Sequence, residues 1–262
     1  MIDELYQVLK KNIPIYKGKI CIPVSGGLDS RVIAGFMAQN RDIDLAFTQF
    51  ELSYPILINR NIKNVEYARQ ISNVVGAKHF IAVNVNRDTQ EDREAIKNLP
   101  SADILKKSKM YTGLRRLNNF IDTSEYTFVL GHGLDSFTGI GVTPLSLLFG
   151  NPYKNDLITK KKKEAYFGGI FDGTYGKFGK WDCPLWNDEV EQFCLDLPLS
   201  DRLFQKLYRQ MITKYFPQLA TINRSDMRCP INVSESKYFY ERSIFFLKKS
   251  RYKYGKIFKK SE

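Results

Sequence analysis

The run Ser25-Gly26-Gly27-Leu28-Asp29-Ser30 collects the residue types that can seat phosphate. Two glycines let the backbone turn sharply and bring bare N–H groups close to anionic oxygens. Ser25 and Ser30 can donate hydroxyl hydrogen bonds, and Asp29 can hold a magnesium ion or a bound water. The run follows an apolar stretch, Ile20-Cys21-Ile22-Pro23-Val24, and precedes a helical pattern from Arg31 to Gln39. A strand, a glycine turn and a helix start bring the helix's partial positive charge to the same place. There is no Gly-Lys-Ser/Thr, which excludes the Walker-type loop, and no Gly-x-Gly-x-x-Gly, so a dinucleotide fingerprint is not supported.

A second loop, Gly131-His132-Gly133-Leu134-Asp135, follows the apolar run Tyr126–Leu130. Two carboxylates, Asp29 and Asp135, facing one phosphate cluster would repel it unless a divalent ion lay between them. Mg²⁺ bridging Asp29, Asp135 and the β and γ phosphates of ATP is therefore expected. Gly131 and Gly133 would let the strand-end backbone approach the substrate or the α-phosphate. His132, if neutral near pH 7, can accept a proton from an attacking amine, or it can hydrogen-bond the loop backbone. A pyrophosphate leaving group needs cations. Arg31, Arg224 and Arg228 are the candidates. Val24, Leu28 and Phe50 complete the expected nucleotide-binding set with Ser25, Gly26, Gly27, Asp29 and Ser30.

The elements that must position these residues alternate. Strands are expected at Lys19–Val24, Asp44–Phe50, His79–Val85 and Tyr126–Leu130, the last apolar enough to be central. Helices are expected over residues 1–16, Arg31–Asn40, Asn61–Gly76, Asp88–Asn98 and Ile104–Phe120. This order implies an α/β fold, a parallel twisted sheet with helices on both faces. Both loops would lie at the carboxyl edge of the sheet, where such folds bind ligands. Residues 1–150 form the nucleotide-binding region. Residues 151–262 form a helical and loop extension, with a basic run at Lys160–Lys163, a glycine-rich loop or lid at Gly168–Gly179, and helices at Asp188–Leu197 and Ser200–Tyr215, the latter with Ser200 as N-cap.

Composition sets the frame. The 262 residues are 43% hydrophobic, enough for a sizeable core, and no segment approaches the roughly 20 apolar residues of a membrane span. The amphipathic, acidic N-terminus is not a secretory signal. Four cysteines without a Cys-x-x-Cys pair read as reduced thiols of a cytoplasmic protein. Two histidines make a histidine-rich zinc site unsupported. A formal net charge of +12 attracts polyanions such as nucleic acid, nucleotides or anionic lipid.

Val24-Ser25-Gly26-Gly27-Leu28-Asp29-Ser30-Arg31 resembles the pyrophosphate loop of the N-type ATP pyrophosphatases. More closely, it resembles that of the synthetase domain of asparagine synthetase and its relatives. Glu66-Tyr67-Ala68, Val74 to His79, the Gly131–Asp135 loop and Leu197-Pro198 through Tyr208-Arg209 to Phe216-Pro217 carry the resemblance further. It implies an adenine nucleotide alpha hydrolase-like fold. It also implies an ATP-dependent, AMP- and pyrophosphate-forming amide ligase that adenylates a small-molecule or peptide carboxylate and transfers ammonia or an amine. Residue 2 is Ile rather than the exposed cysteine of a glutaminase. Nitrogen is then expected from free ammonia, a separate glutaminase subunit or the substrate's own amine. His132 and Ser136 stand where the family places acids, which puts aspartate as the substrate in doubt. The family's catalytic lysine has no clear counterpart, and Arg224 or Arg228 would stand in. Two alternatives stay open: a tRNA-modifying enzyme of the same superfamily, favoured by the charge and by the aromatic residues interleaved in the basic tail, and a non-catalytic nucleotide-binding subunit.

Overall fold

In the computed structural model of the chain, the structure describes residues 1–51, 55–86, 90, 91, 94, 109–133, 166–225, 227 and 229–244. The strands are β1 (Lys19–Pro23), β2 (Leu45–Phe50), β3 (His79–Asn84), β4 (Tyr126–Val129) and β5 (Lys180–Asp182). They form one sheet in the order β3-β2-β1-β4-β5, and every pairing is parallel. The α/β parallel sheet expected from the sequence is the observed architecture.

The principal helices are α1 (Ile2–Lys11), α2 (Leu28–Asn40), α3 (Pro55–Val74), α4 (Met110–Asn118), α5 (Asp188–Asp196) and α6 (Lys206–Tyr215). The chain runs β1-α2-β2-α3-β3 toward one edge, then returns through α4 to β4 on the other side of β1. Right-handed crossovers in opposite directions place α2 and α3 on one face and α4 on the other. The order reverses between β1 and β4, and a crevice opens there beyond the strand ends.

Central parallel strands are covered on both faces, and their sequences show it. Ile20, Cys21 and Ile22 of β1 and Phe128 and Val129 of β4 are fully buried. Helix α2 adds Val32, Ile33 and Phe36 to the same core. Helix α1, with Leu5, Tyr6 and Leu9 inward, is tied to α6 by stacking of Tyr6 on Tyr215, ring centroids 3.7 Å apart.

Four expectations change. Helix α2 begins at Leu28, not Arg31, so half of the phosphate motif is the helix's first turn. The fifth strand, β5, is three residues long and lacks a periodic pattern to announce it. The glycine-rich stretch at 168–179 is no lid over its described part. Phe171 and Tyr175 are buried in an aromatic cluster with Phe128 and Trp181 and pin it to the core. The helix expected over Ser200–Tyr215 is broken: Leu199–Arg202 is a single turn preceded by Pro198, and Phe204 (φ 49°) and Gln205 (φ 61°) are left-handed before α6 starts. Ser200 therefore caps nothing. The Asp88–Asn98 helix is described only at residues 90, 91 and 94, the Ile104–Phe120 helix as α4, and Lys160–Lys163 and the basic tail lie outside the described residues.

Candidate nucleotide-binding site

A cavity of about 610 Å³ opens at the reversal point between β1 and β4. The end of β1 and the start of α2 supply Val24, Ser25, Gly27, Leu28, Asp29 and Ser30 to its lining. The end of β4 supplies Gly131, His132 and Gly133, and the C-terminal region supplies Gln205, Arg224 and Ser225. Two loops more than 100 residues apart in sequence thus share one site. Asp135 and Arg228 lie outside the described residues.

The loop is braced by its own hydroxyls. Ser30 Oγ accepts from the Ser25 N–H (3.1 Å), donates to the Ser25 carbonyl (3.0 Å) and shares a contact with Ser25 Oγ (3.1 Å). Ser25 Oγ in turn accepts from the Gly27 N–H at 3.2 Å. Gly27 is the extended N-cap of α2 and no side chain caps that helix end, so the positive end of a 13-residue helix faces the cavity.

Gly26 departs from its expected role, since it does not line the cavity. Its N–H donates to Asn64 Oδ1 of α3 at 2.8 Å, and a Cβ at Gly26 would stand 2.8 Å from the Ser225 backbone nitrogen. It is glycine because the C-terminal segment packs against it. The second loop repeats the pattern. A Cβ on Gly131 would lie 2.7 Å from the Asp29 carbonyl oxygen, and Gly133 (φ 101°) presses on the Trp186 ring. These glycines let the protein close on itself as well as line the site.

Asp29 is the one acidic side chain among the described lining residues, and Arg224 the one lysine or arginine. Tyr208 of α6 donates from its hydroxyl to Asp29 Oδ1 at 3.2 Å. Arg224 Nη1 donates to Tyr238 Oη (2.6 Å) and to Gln205 Oε1 (3.3 Å). Tyr238 is itself covered by the Arg209 guanidinium at 3.6 Å, and Arg209 pairs with Glu235 at 2.5 Å. The left-handed backbone at Gln205 costs on the order of 1–3 kcal/mol, and such outliers gather at functional sites.

Arg31 was a candidate phosphate ligand from its position after the loop. It is fully buried and its guanidinium is turned into the protein, donating to four backbone carbonyls. His132 lines the cavity, and its ring packs edge-on against Phe171, centroids 5.1 Å apart. Its carbonyl accepts from Cys183 Sγ at 3.3 Å and so braces the loop. Phe50 lies elsewhere. It lines a second cavity of about 520 Å³ with Asn84, Arg115, Arg116 and Phe120. His79 is exposed at the start of β3, away from the site.

Residues without a sequence signal complete the lining: Thr48 and Gln49 at the end of β2, Asn61 and Asn64 of α3, Met110, and the aromatic residues Tyr175 and Trp186, whose rings pack on Phe171 as that of His132 does. Thr48 Oγ1 is buried and has no hydrogen-bond partner among the described residues. A buried hydroxyl without a partner calls for an explanation, and Thr48 is among the residues that line the cavity.

The donor set fits magnesium held through one carboxylate and phosphate oxygens, the usual manner for this ion. Among the described residues no cluster of three histidine, cysteine or acidic side chains can hold a metal by itself. The four thiols are buried and dispersed. Burial raises the pKa of Cys21 and Cys183, and pushes that of Cys194 up to about 12, so these thiols stay protonated. No described helix is long and apolar enough to cross a membrane.

No family model matches the chain, and no curated protein matches it. Among solved structures it is similar to the U34-tRNA thiolase NcsA from Methanococcus maripaludis with its [4Fe-4S] cluster, at 16% identity over 85% of this chain and 81% of that chain. The TM-score is 0.39, a likeness too low to bear on function.

Proposed function

We propose that the chain is an ATP-dependent enzyme that activates an acceptor by adenylation and releases pyrophosphate. The observation that carries this reading is the convergence of the Ser25–Ser30 loop, Asp29 and Arg224 on one cavity at the sheet's reversal point. It is the activity that the resemblance to the N-type ATP pyrophosphatases implies. The acceptor oxygen bonds to the α-phosphorus of ATP as the bond to the oxygen bridging to the β-phosphorus breaks, and that oxygen departs with pyrophosphate. A nucleophile then displaces AMP from the activated acceptor.

This chain's groups divide the work. The α2 N-terminus and the Gly27 turn hold the phosphates, and Arg224 offsets charge that gathers on the leaving pyrophosphate. Asp29, held by Tyr208, would bind Mg²⁺ with the phosphates; that ion supplies Lewis-acid neutralisation of the polyphosphate. Thr48 and Gln49 face the nucleoside end. His132 stands at the acceptor side, where an imidazole can take a proton from the attacking group.

For the acceptor, the aromatic part of the lining favours one candidate over the other. A carboxylate acceptor would need a cation of its own, and Arg224 is committed to pyrophosphate in this reading. His132, Tyr175 and Trp186 contribute an aromatic part of the lining, with Tyr175 and Trp186 almost wholly buried, and this suits a planar, neutral carbonyl, as in a nucleobase, better than a carboxylate. The net charge of +12 suits a base carried on RNA. We therefore favour a base carbonyl of tRNA over an amide ligase acting on a carboxylate. The amide ligase is the second reading, supported by the resemblance at the Gly131–Asp135 loop.

Pyrophosphate release from ATP distinguishes them. Turnover that starts only when bulk tRNA is added supports the favoured reading. Turnover with carboxylic acids and ammonia, and none with tRNA, supports the second. ATP binding without turnover in either case would make the chain a nucleotide-binding subunit.

A further inference from the structure

Arg31 is a buried arginine beside a phosphate loop that does not line the cavity. Its Nη1 donates to the carbonyls of Leu219 (2.9 Å) and Ile222 (2.6 Å). Its Nη2 donates to the carbonyls of Gly26 (3.2 Å) and Asn223 (2.5 Å). One acceptor belongs to the phosphate loop, and the other three belong to a segment nearly 190 residues later in the chain. The residue after Asn223 is Arg224, the cation of the cavity, and the next, Ser225, is the one that Gly26 packs against.

A planar guanidinium with donors fanned over a fixed fork can reach four carbonyls at once, and an ammonium on a flexible stem cannot. The carbonyl of Gly26 belongs to the peptide whose rotation also turns the Gly27 N–H, which lies in the phosphate turn. A phosphate that reorients this peptide would therefore act on Arg31, and through it on the Ile222–Asn223 carbonyls that set where Arg224 begins.

We propose that Arg31 is a positioning residue that couples occupancy of the phosphate loop to the placement of Arg224. The proposal rests on the phosphate-binding reading of the cavity and adds a part that touches no ligand. Gln205 and Tyr238 hold the side chain of Arg224, its own N–H and carbonyl pair with Cys229 and Met227, and Arg31 sets the preceding carbonyls in register with the loop.

The test uses the full chain, magnesium pyrophosphate as the probe and calorimetric binding as the readout. Arg31→Lys keeps the charge but not the fork. Arg31→Lys and Arg224→Ala should each bind at least about tenfold more weakly than the unmodified chain, the effect of losing about one charge-assisted hydrogen bond. The double variant should bind no more weakly than Arg224→Ala alone, because Arg31 acts through Arg224. Unchanged binding by Arg31→Lys, or losses that multiply in the double variant, would overturn the proposal while leaving the phosphate site intact. Absence of pyrophosphate binding by the unmodified chain would overturn the phosphate-site reading itself, and the coupling with it. If Arg31→Lys does not fold, hydrogen exchange on the unmodified chain and on Arg224→Ala gives the answer. Pyrophosphate should slow exchange at residues 222–225 in both. Protection confined to residues 25–30 in Arg224→Ala would overturn the coupling.

Discussion

Tyr208 and Asp29 are joined by a hydrogen bond of 3.2 Å from phenol to carboxylate, across 179 residues of sequence. The tyrosine is buried on α6 and the aspartate lies in the first turn of α2, so α6 holds the one acid among the described lining residues. Tyr208→Phe keeps the ring and removes the donor. The expected result is a turnover loss of at least several-fold. Stability should fall by only about 0.5–1.5 kcal/mol, the net worth of one hydrogen bond. Steady-state pyrophosphate release alongside thermal melts checks both halves, and unchanged turnover would mean that the orientation of Asp29 does not matter.

Thr48 gives a prediction with two opposite signs. Its buried hydroxyl has no partner among the described residues, which costs about 1–3 kcal/mol in the ligand-free fold. Thr48→Val preserves the shape and deletes the hydroxyl. Chemical denaturation should show a more stable chain, by about 1 kcal/mol, and calorimetry should show weaker ATP binding. Gain of stability with no loss of affinity would remove Thr48 from the nucleoside site.

Gln205 separates side chain from backbone. Its φ of 61° suits glycine, and its amide accepts from Arg224. Gln205→Ala keeps the left-handed strain and loses the amide, and Gln205→Gly loses both. Both should weaken pyrophosphate binding alike, and the glycine variant should be the more stable by about 1 kcal/mol. Equal melting temperatures would argue against strain at this turn.

Acid should loosen the start of the sheet through Asp44. Burial alone raises its pKa, but the Ile20 N–H, Lys78 and Arg41 outweigh that and hold it below the ordinary 3.8. A carboxyl with a depressed folded pKa contributes stability that is complete above its unfolded value. That contribution is lost as pH falls from about 3.8 through the folded pKa. Asp44→Asn should therefore lower stability at neutral pH and flatten its fall in acid. Parallel stability–pH curves for the two chains would assign the acid response elsewhere.

Much of this was legible in the residues. Apolar strands alternating with helical patterns give the parallel sheet, because burial on both faces leaves an unbroken apolar run at β1 and β4. Ser25–Ser30 could be read because phosphate binding demands glycine and hydroxyls at fixed spacing in a short loop. Arg31 could be seen but not placed, since sequence shows a charge without showing which way it points. Asn64, Tyr208 and Gln205 could not be placed from sequence, because each acts by meeting a residue elsewhere in the chain, and nothing local marks Thr48 as part of the lining. The break at Phe204–Gln205 opposes the local helical pattern, and contacts from Arg224 to the Gln205 amide and from Arg209 to the Phe204 carbonyl override it. The short β5 and the swing of Phe50 into a second cavity were likewise fixed by packing rather than by pattern.

The central claim is that this cavity cleaves ATP to release pyrophosphate. The most direct measurement is pyrophosphate release from ATP with magnesium and bulk tRNA, comparing the unmodified chain with Asp29→Ala. The account expects tRNA-dependent release by the unmodified chain, and none by a variant that still melts cooperatively at a similar temperature. Release that persists in Asp29→Ala, or products of ADP and phosphate instead of AMP and pyrophosphate, would contradict it.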